Sequence, residues 1–152
     1  MSKRRRRRKQ VEEWIDYRFR PTAWYVSHSG WQYDSPITGE TEPEGSLDID
    51  LEVELLEAIK GVAKGRLRVN SEPDATRWGR GLFGYYTEEG HEEPTFSGTV
   101  WTSEIGVLGL LMMLLAGRPI ELRASGKAFR YRQASVRSFG WYVADHPDRE
   151  DF

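Results

Sequence analysis

From Ile105 to Ala116 every residue is apolar or glycine, and no other stretch is so uniformly apolar. A bilayer-crossing helix needs roughly 20 apolar residues, so a run of about 12 has the length of a buried core helix. Thr102 and Ser103 offer hydroxyl N-caps, Glu104 falls in the first turn, and Gly117 with Pro119 supplies the stop, which predicts a helix over about 103–116. Leu and Met lie on all its faces, predicting cover on most sides, while Gly106 and Gly109 leave a flat line for a close neighbour.

Elsewhere the dominant period is two. In Ser46 to Leu55, Leu47, Ile49, Leu51, Val53 and Leu55 alternate with Asp48, Asp50, Glu52 and Glu54, which predicts a half-buried strand. From Leu55 the spacing widens to Leu55, Leu56, Ile59, Val62 and Ala63, as in a short amphipathic helix stopped by Gly65. Residues 11–20 fit either period, because Val11, Trp14, Ile15 and Arg18 are helically spaced whereas Ile15, Tyr17 and Phe19 alternate with charges. Thr22 to Tyr33, around Ser29-Gly30, reads as a hairpin after Pro21, and Asp34 to Gly45 as an exposed acidic loop. Arg66 to Asn70 reads as a short strand. Leu82 to Thr87 and Thr95 to Trp101 read as a second hairpin. Ile120 to Ala124 and Ala128 to Gln133 around Ser125-Gly126-Lys127 read as a third, and Ser138 to Ala144 as a last strand.

These elements predict an α+β fold, an antiparallel sheet of hairpins packed on the buried apolar helix with a short amphipathic helix beside it. The chain length suits one domain, taken as 11–146, with a basic arm at 1–10 and a polar tail at 147–152.

Charge changes the picture more than composition does, because a net of -2 hides blocks of opposite sign. Residues 1–20 sum to +6, 34–57 to -9, 60–80 to +4 and 118–137 to +5. Such blocks either pair within the fold or form binding faces. Lys3, Arg4, Arg5, Arg6, Arg7, Arg8 and Lys9 are seven consecutive cations, a segment that neutralises phosphates and releases counterions without reading sequence. Arg123, Arg130 and Arg132 fall on the outer side of the third hairpin and form a second candidate anion-binding patch, with Phe129 and Tyr131 on the opposite side. The alternative is that Asp48, Asp50, Glu52 and Glu54 present a negative surface to a cationic protein, as an immunity-type inhibitor does.

Catalytic chemistry finds little support. The absence of cysteine excludes disulfides, thiolate catalysis and cysteine-ligated metal. His28, His91 and His146 share no ligand spacing, although Glu89, His91 and Glu93 alternate. No GxSxG elbow or GxxxxGK[ST] loop occurs. Four alternate carboxylates on one strand lie nearly 7 Å apart, too far to converge on one cation unaided. No cofactor, metal or catalytic residue is therefore expected.

The leading expectation is a small cytoplasmic, non-catalytic binding protein whose arm contacts nucleic acid or another anionic partner. A protein-interaction inhibitor using the acidic block is second, and a metal-dependent hydrolase third. No membrane span is expected.

Overall fold

The computed structural model describes residues 14–34 and 41–144. Its strands are β1 (Trp14–Asp34), β2 (Thr41–Ile59), β3 (Val62–Ser71), β4 (Gly81–Tyr86), β5 (Thr95–Thr102), β6 (Ile120–Lys127) and β7 (Gln133–Val143), with one helix, α1 (Glu104–Leu115), between β5 and β6. A single 3-10 turn, Ala75–Arg77, is capped by Asp74, whose carboxylate accepts from the Thr76 nitrogen. The strands form a closed barrel in the order β1-β2-β3-β5-β4-β7-β6, and β6 pairs back onto β1. β3 and β5 run parallel, while the other neighbours are antiparallel.

This closure corrects the α+β expectation. A sheet that curls onto itself buries one row of side chains from every strand against the rows opposite, so it needs no helix as a second layer. Tyr17, Phe19, Leu51, Leu67, Phe83, Phe96 and Leu122 fill the interior. At its centre Phe83 meets Tyr17, Phe19 and Phe96 edge-on with ring centroids 5.0–5.6 Å apart. Gly98 makes room for this cluster, since a Cβ there would lie 2.7 Å from the Phe83 ring.

The helix is real, but it is not the buried centre. α1 packs against β2 and β3 and adds only Val107 and Leu110 as buried core residues. Ser103, the N-cap, accepts from the Gly106 nitrogen at 3.0 Å. The close approach expected at the glycines is made by Trp141 of β7. Its Nε1 donates to the Gly106 carbonyl at 3.2 Å, and its ring lies 3.0 Å from where a Cβ on Gly109 would be.

Three further corrections concern segments read as a helix or as turns. The segment expected to be a short amphipathic helix is the end of β2, a Lys60-Gly61 turn and the start of β3. Both turn residues have positive φ, 51° and 76°, which suits a tight hairpin turn. The β2–β3 register shifts between Glu54 and Ile59, and a bulge of this kind spreads a period of two into spacings of three and four. β1 runs straight through both Pro21 and Ser29-Gly30, and no hairpin forms there. Its register shifts between Pro21 and Ala23, so the inward residues are Tyr17 and Phe19 before the bulge and Trp24 and Val26 after it. Proline in a strand is tolerated at such an irregularity. Ser125-Gly126-Lys127 is likewise inside β6, and the third turn lies at Tyr131-Arg132, whose φ values are 51° and 65°.

The 46–55 strand, the second hairpin and the last strand coincide with parts of β2, with β4 and β5, and with part of β7. Of the segment expected to be an acidic loop, Asp34 belongs to β1 and 41–45 to β2, and 35–40 lie outside the described residues. The arm at 1–10 and the tail at 147–152 lie outside the described residues.

Candidate anion-binding face

The outer surface of β1, β6 and β7 is built by alternation against the core. On β1, Trp14, Asp16, Arg18 and Arg20 point away from the interior that Tyr17 and Phe19 fill. On β6, Arg123 and Lys127 do the same opposite buried Leu122 and Ala124. The register sets Arg18 beside Arg123 and Trp14 beside Lys127. On β7, Arg137 is the extra residue between Val136 and Ser138, where the pairing shifts from Gly126 to Ser125. A bulged residue is turned out of the ladder, and the Arg137 guanidinium lies over the Trp14 ring, 4.9 Å from its centroid. The Arg123 guanidinium lies 5.7 Å from the Tyr142 ring centroid.

Glu121 is the one buried charged residue among the described residues, 3% exposed although its strand position points outward. It is covered by arginines. Arg18 donates to its Oε1 at 2.6 Å, and an Arg123 nitrogen lies 3.9 Å from Oε2. A carboxylate out of water is costly unless paired with well-placed donors, so Glu121 ties two guanidinium groups to β6 and limits their freedom. The Arg18 Nε–H is itself buried without an acceptor among the described residues. Beside this pair opens a cleft of about 480 Å³, lined by Arg18, Arg20, Arg118 and Glu121 together with apolar groups such as Leu56 and Leu114. Three guanidinium groups against one carboxylate make its lining cationic. Planar guanidinium forks match phosphate and carboxylate oxygens.

Beneath the face, the Tyr17 hydroxyl donates to the Lys127 carbonyl at 2.7 Å, and burial pushes its pKa up to about 12.

Of the residues singled out by sequence, Arg123 belongs to this face. Arg130 and Arg132 do not sit beside it. They lie in the turn beyond β6, past roughly 13 Å of strand from Arg123, with Arg130 over the exposed ring of Tyr131 at 5.4 Å. Phe129, expected opposite the arginines, is buried, as core packing requires. Lys3 to Lys9 lie outside the described residues, but the chain that carries them joins the barrel at Trp14, on this face. Lys9 is five residues from Trp14, a span of at most about 18 Å.

Asp48, Asp50, Glu52 and Glu54 occupy the outer side of β2, directly across from Asn70, Arg68, Arg66 and Lys64 of β3. Arg68 Nε donates to Asp50 Oδ1 at 2.8 Å, and this bond holds the guanidinium pKa above its ordinary value. The acidic and basic blocks thus meet across a strand pair. Among the described residues no group of three or more histidine, aspartate and glutamate side chains is placed to hold a metal. His28 is exposed beside the Ser46 carbonyl, His91 is exposed 3.8 Å from Glu88, and His146 lies outside the described residues.

Sequence reasoning missed Trp14, Arg18, Arg20, Arg118, Arg137 and Tyr142 as members of one face. The alternation of Arg18 and Arg20 with Tyr17 and Phe19 was a usable signal. Nothing local marks Glu121, whose partner Arg18 is 103 residues away.

No family model, no curated protein and no solved structure matches this chain.

Proposed function

We propose that this protein is a non-catalytic binder of single-stranded nucleic acid, and that the β1–β6–β7 face with its arginine cleft is the contact surface. The observation that carries the reading is the interleaving of aromatic rings with cations. Trp14, half exposed, lies beside Lys127 and under Arg137, and the Lys3–Lys9 run ends five residues before it. Single-strand binders combine a basic track for the backbone with rings on which bases stack. A basic arm tethered at the edge of such a track adds phosphate contacts without adding base specificity. The rival reading, an acidic surface for a cationic protein, loses support because Asp50 is engaged by Arg68, and Glu52 and Glu54 face Arg66 and Lys64.

The test is a fluorescence titration of labelled single-stranded and duplex oligonucleotides at two salt concentrations. Trp14→Ala should weaken single-strand binding by about 1–3 kcal/mol with little change in salt dependence, because it removes a stacking platform and no charge. Deleting residues 2–9 should flatten the slope of log affinity against log salt by roughly 0.7 for each phosphate the arm neutralises. Equal affinity of the wild type and Trp14→Ala, or no binding near physiological salt, refutes the proposal.

A further inference from the structure

The face of α1 turned away from the barrel is apolar and uncovered. Ile105 is 82% exposed, Leu108 42%, Met112 63% and Leu115 66%. Their spacing of three, four and three residues draws a narrow seam of the kind that packs against another helix. The helix cannot roll to hide it. Val107 and Leu110 are locked in the core on the opposite side, and Trp141 holds Gly106 and Gly109 from β7.

Three occupants can be compared. The segments of this chain outside the described residues, 1–13, 35–40 and 145–152, contain as large apolar residues only Met1, Val11, Ile37 and Phe152, so none supplies a matching stripe. A lipid surface favours helices with Lys and Arg along their flanks. α1 has none, and its single charge is Glu104. A second copy fits better, because the stripe reads the same in both directions. Ile105 and Leu115 lie five residues either side of Leu110, and Leu108 and Met112 lie two either side. A two-fold axis at that level sets Ile105 against the partner's Leu115 and Leu108 against the partner's Met112, the self-complementary contact that a symmetric dimer requires. Antiparallel packing also keeps the two Glu104 carboxylates at opposite ends of the contact.

We propose that this protein self-associates as an antiparallel two-fold dimer through the Ile105, Leu108, Met112 and Leu115 face of α1. The exposed parts of these four side chains amount to roughly 400–500 Å² per copy, or near 1,000 Å² for the pair, at the lower limit of specific interfaces. The dimer is therefore weak and reversible, with a dissociation constant on the order of micromolar. Leu114 and Arg118 line the arginine cleft, so pairing these helices places one cleft near each end of the contact. The dimer itself does not depend on the nucleic-acid reading.

Sedimentation equilibrium of the nuclease-treated full chain tests the association. The weight-average mass should rise from 17.6 kDa towards about twice that value as concentration increases to about 200 µM, and Met112→Lys should weaken association at least about tenfold. Because Met112 is exposed, an unchanged thermal melt for that variant separates lost association from misfolding. The chain contains no cysteine, so Leu108→Cys and Met112→Cys chains carry unique thiols. When the two are mixed under oxidation, mixed crosslinks should outnumber self-crosslinks. A constant mass of 17.6 kDa, wild-type association by Met112→Lys, or predominant self-crosslinks overturns the proposal. Flotation of a monomeric chain with phosphatidylserine vesicles overturns it in favour of lipid.

Discussion

Gly65 separates the barrel from the helical reading of the same segment. A glycine that ends a helix tolerates alanine at a cost of roughly 1 kcal/mol. In the barrel Gly65 is on β3, paired with Phe96 where β3 and β5 run parallel. A Cβ built there falls deep inside the Phe96 carbonyl group and 2.6 Å from the Phe96 nitrogen. Ordinary carbon contacts begin near 3.5 Å, so the strands would have to part by at least about 1 Å. The obstacle is backbone on both sides, and no side chain can swing away. Parting stretches the neighbouring ladder bonds from about 2.9 Å to about 3.9 Å, beyond hydrogen-bonding range. Two buried backbone groups left unpaired cost about 1–3 kcal/mol each, so Gly65→Ala should lose about 2–6 kcal/mol. Gly61→Ala is the control, because Gly61 has a φ of 76° with nothing within 4 Å of its Cβ position. It should lose only the positive-φ penalty of about 1–2 kcal/mol. Urea unfolding followed by tryptophan fluorescence measures both. A loss below about 1 kcal/mol for Gly65→Ala, or the reverse ranking of the two variants, would falsify the parallel β3–β5 contact.

Tyr17 makes stability pH-dependent in the alkaline range. Its folded pKa of about 12 lies above the ordinary tyrosine value of 10.0, so its contribution is complete below pH 10 and is lost as pH rises towards 12. The loss should reach about 1 kcal/mol by pH 11 relative to Tyr17→Phe, and parallel stability curves for the two proteins between pH 9 and about 11 would rule this out. The Asp50–Arg68 pair should matter little to stability, because Arg68 is half exposed. A double-mutant cycle by thermal melting should return a coupling of at most about 1 kcal/mol, and a larger value would show that the pair is a structural clamp.

The strand character of Ser46–Leu55, the hairpin of β4 and β5, and α1 with its Ser103 cap and Gly117 stop were all determined locally. Alternation, turn chemistry and capping act between residues a few positions apart, and those signals are written in the chain itself. Closure of the barrel was not. Whether β6 returns to β1 depends on accumulated twist and on bulges at Pro21/Ala23, Glu54/Ile59 and Ser125/Gly126, each of which reverses which parity faces inward. The shift at Glu54/Ile59 is why the end of β2 and the start of β3 together imitated a helix, whereas Ser125-Gly126-Lys127 imitated a turn by composition alone, since β6 keeps one inward row from Ile120 to Gly126. The apolar run was legible as a helix, but its cover was not, since an all-round apolar helix buries only the faces the rest of the chain reaches. The same holds for the candidate face. Arg123 and the basic arm stood out by charge, whereas the meeting of Arg18 with Glu121, and of Arg137 with Trp14, joins strands more than 100 residues apart in the chain. Only the register of the closed sheet brings those groups within a few ångströms, because side-chain contact across a barrel is set by strand order and not by distance along the sequence.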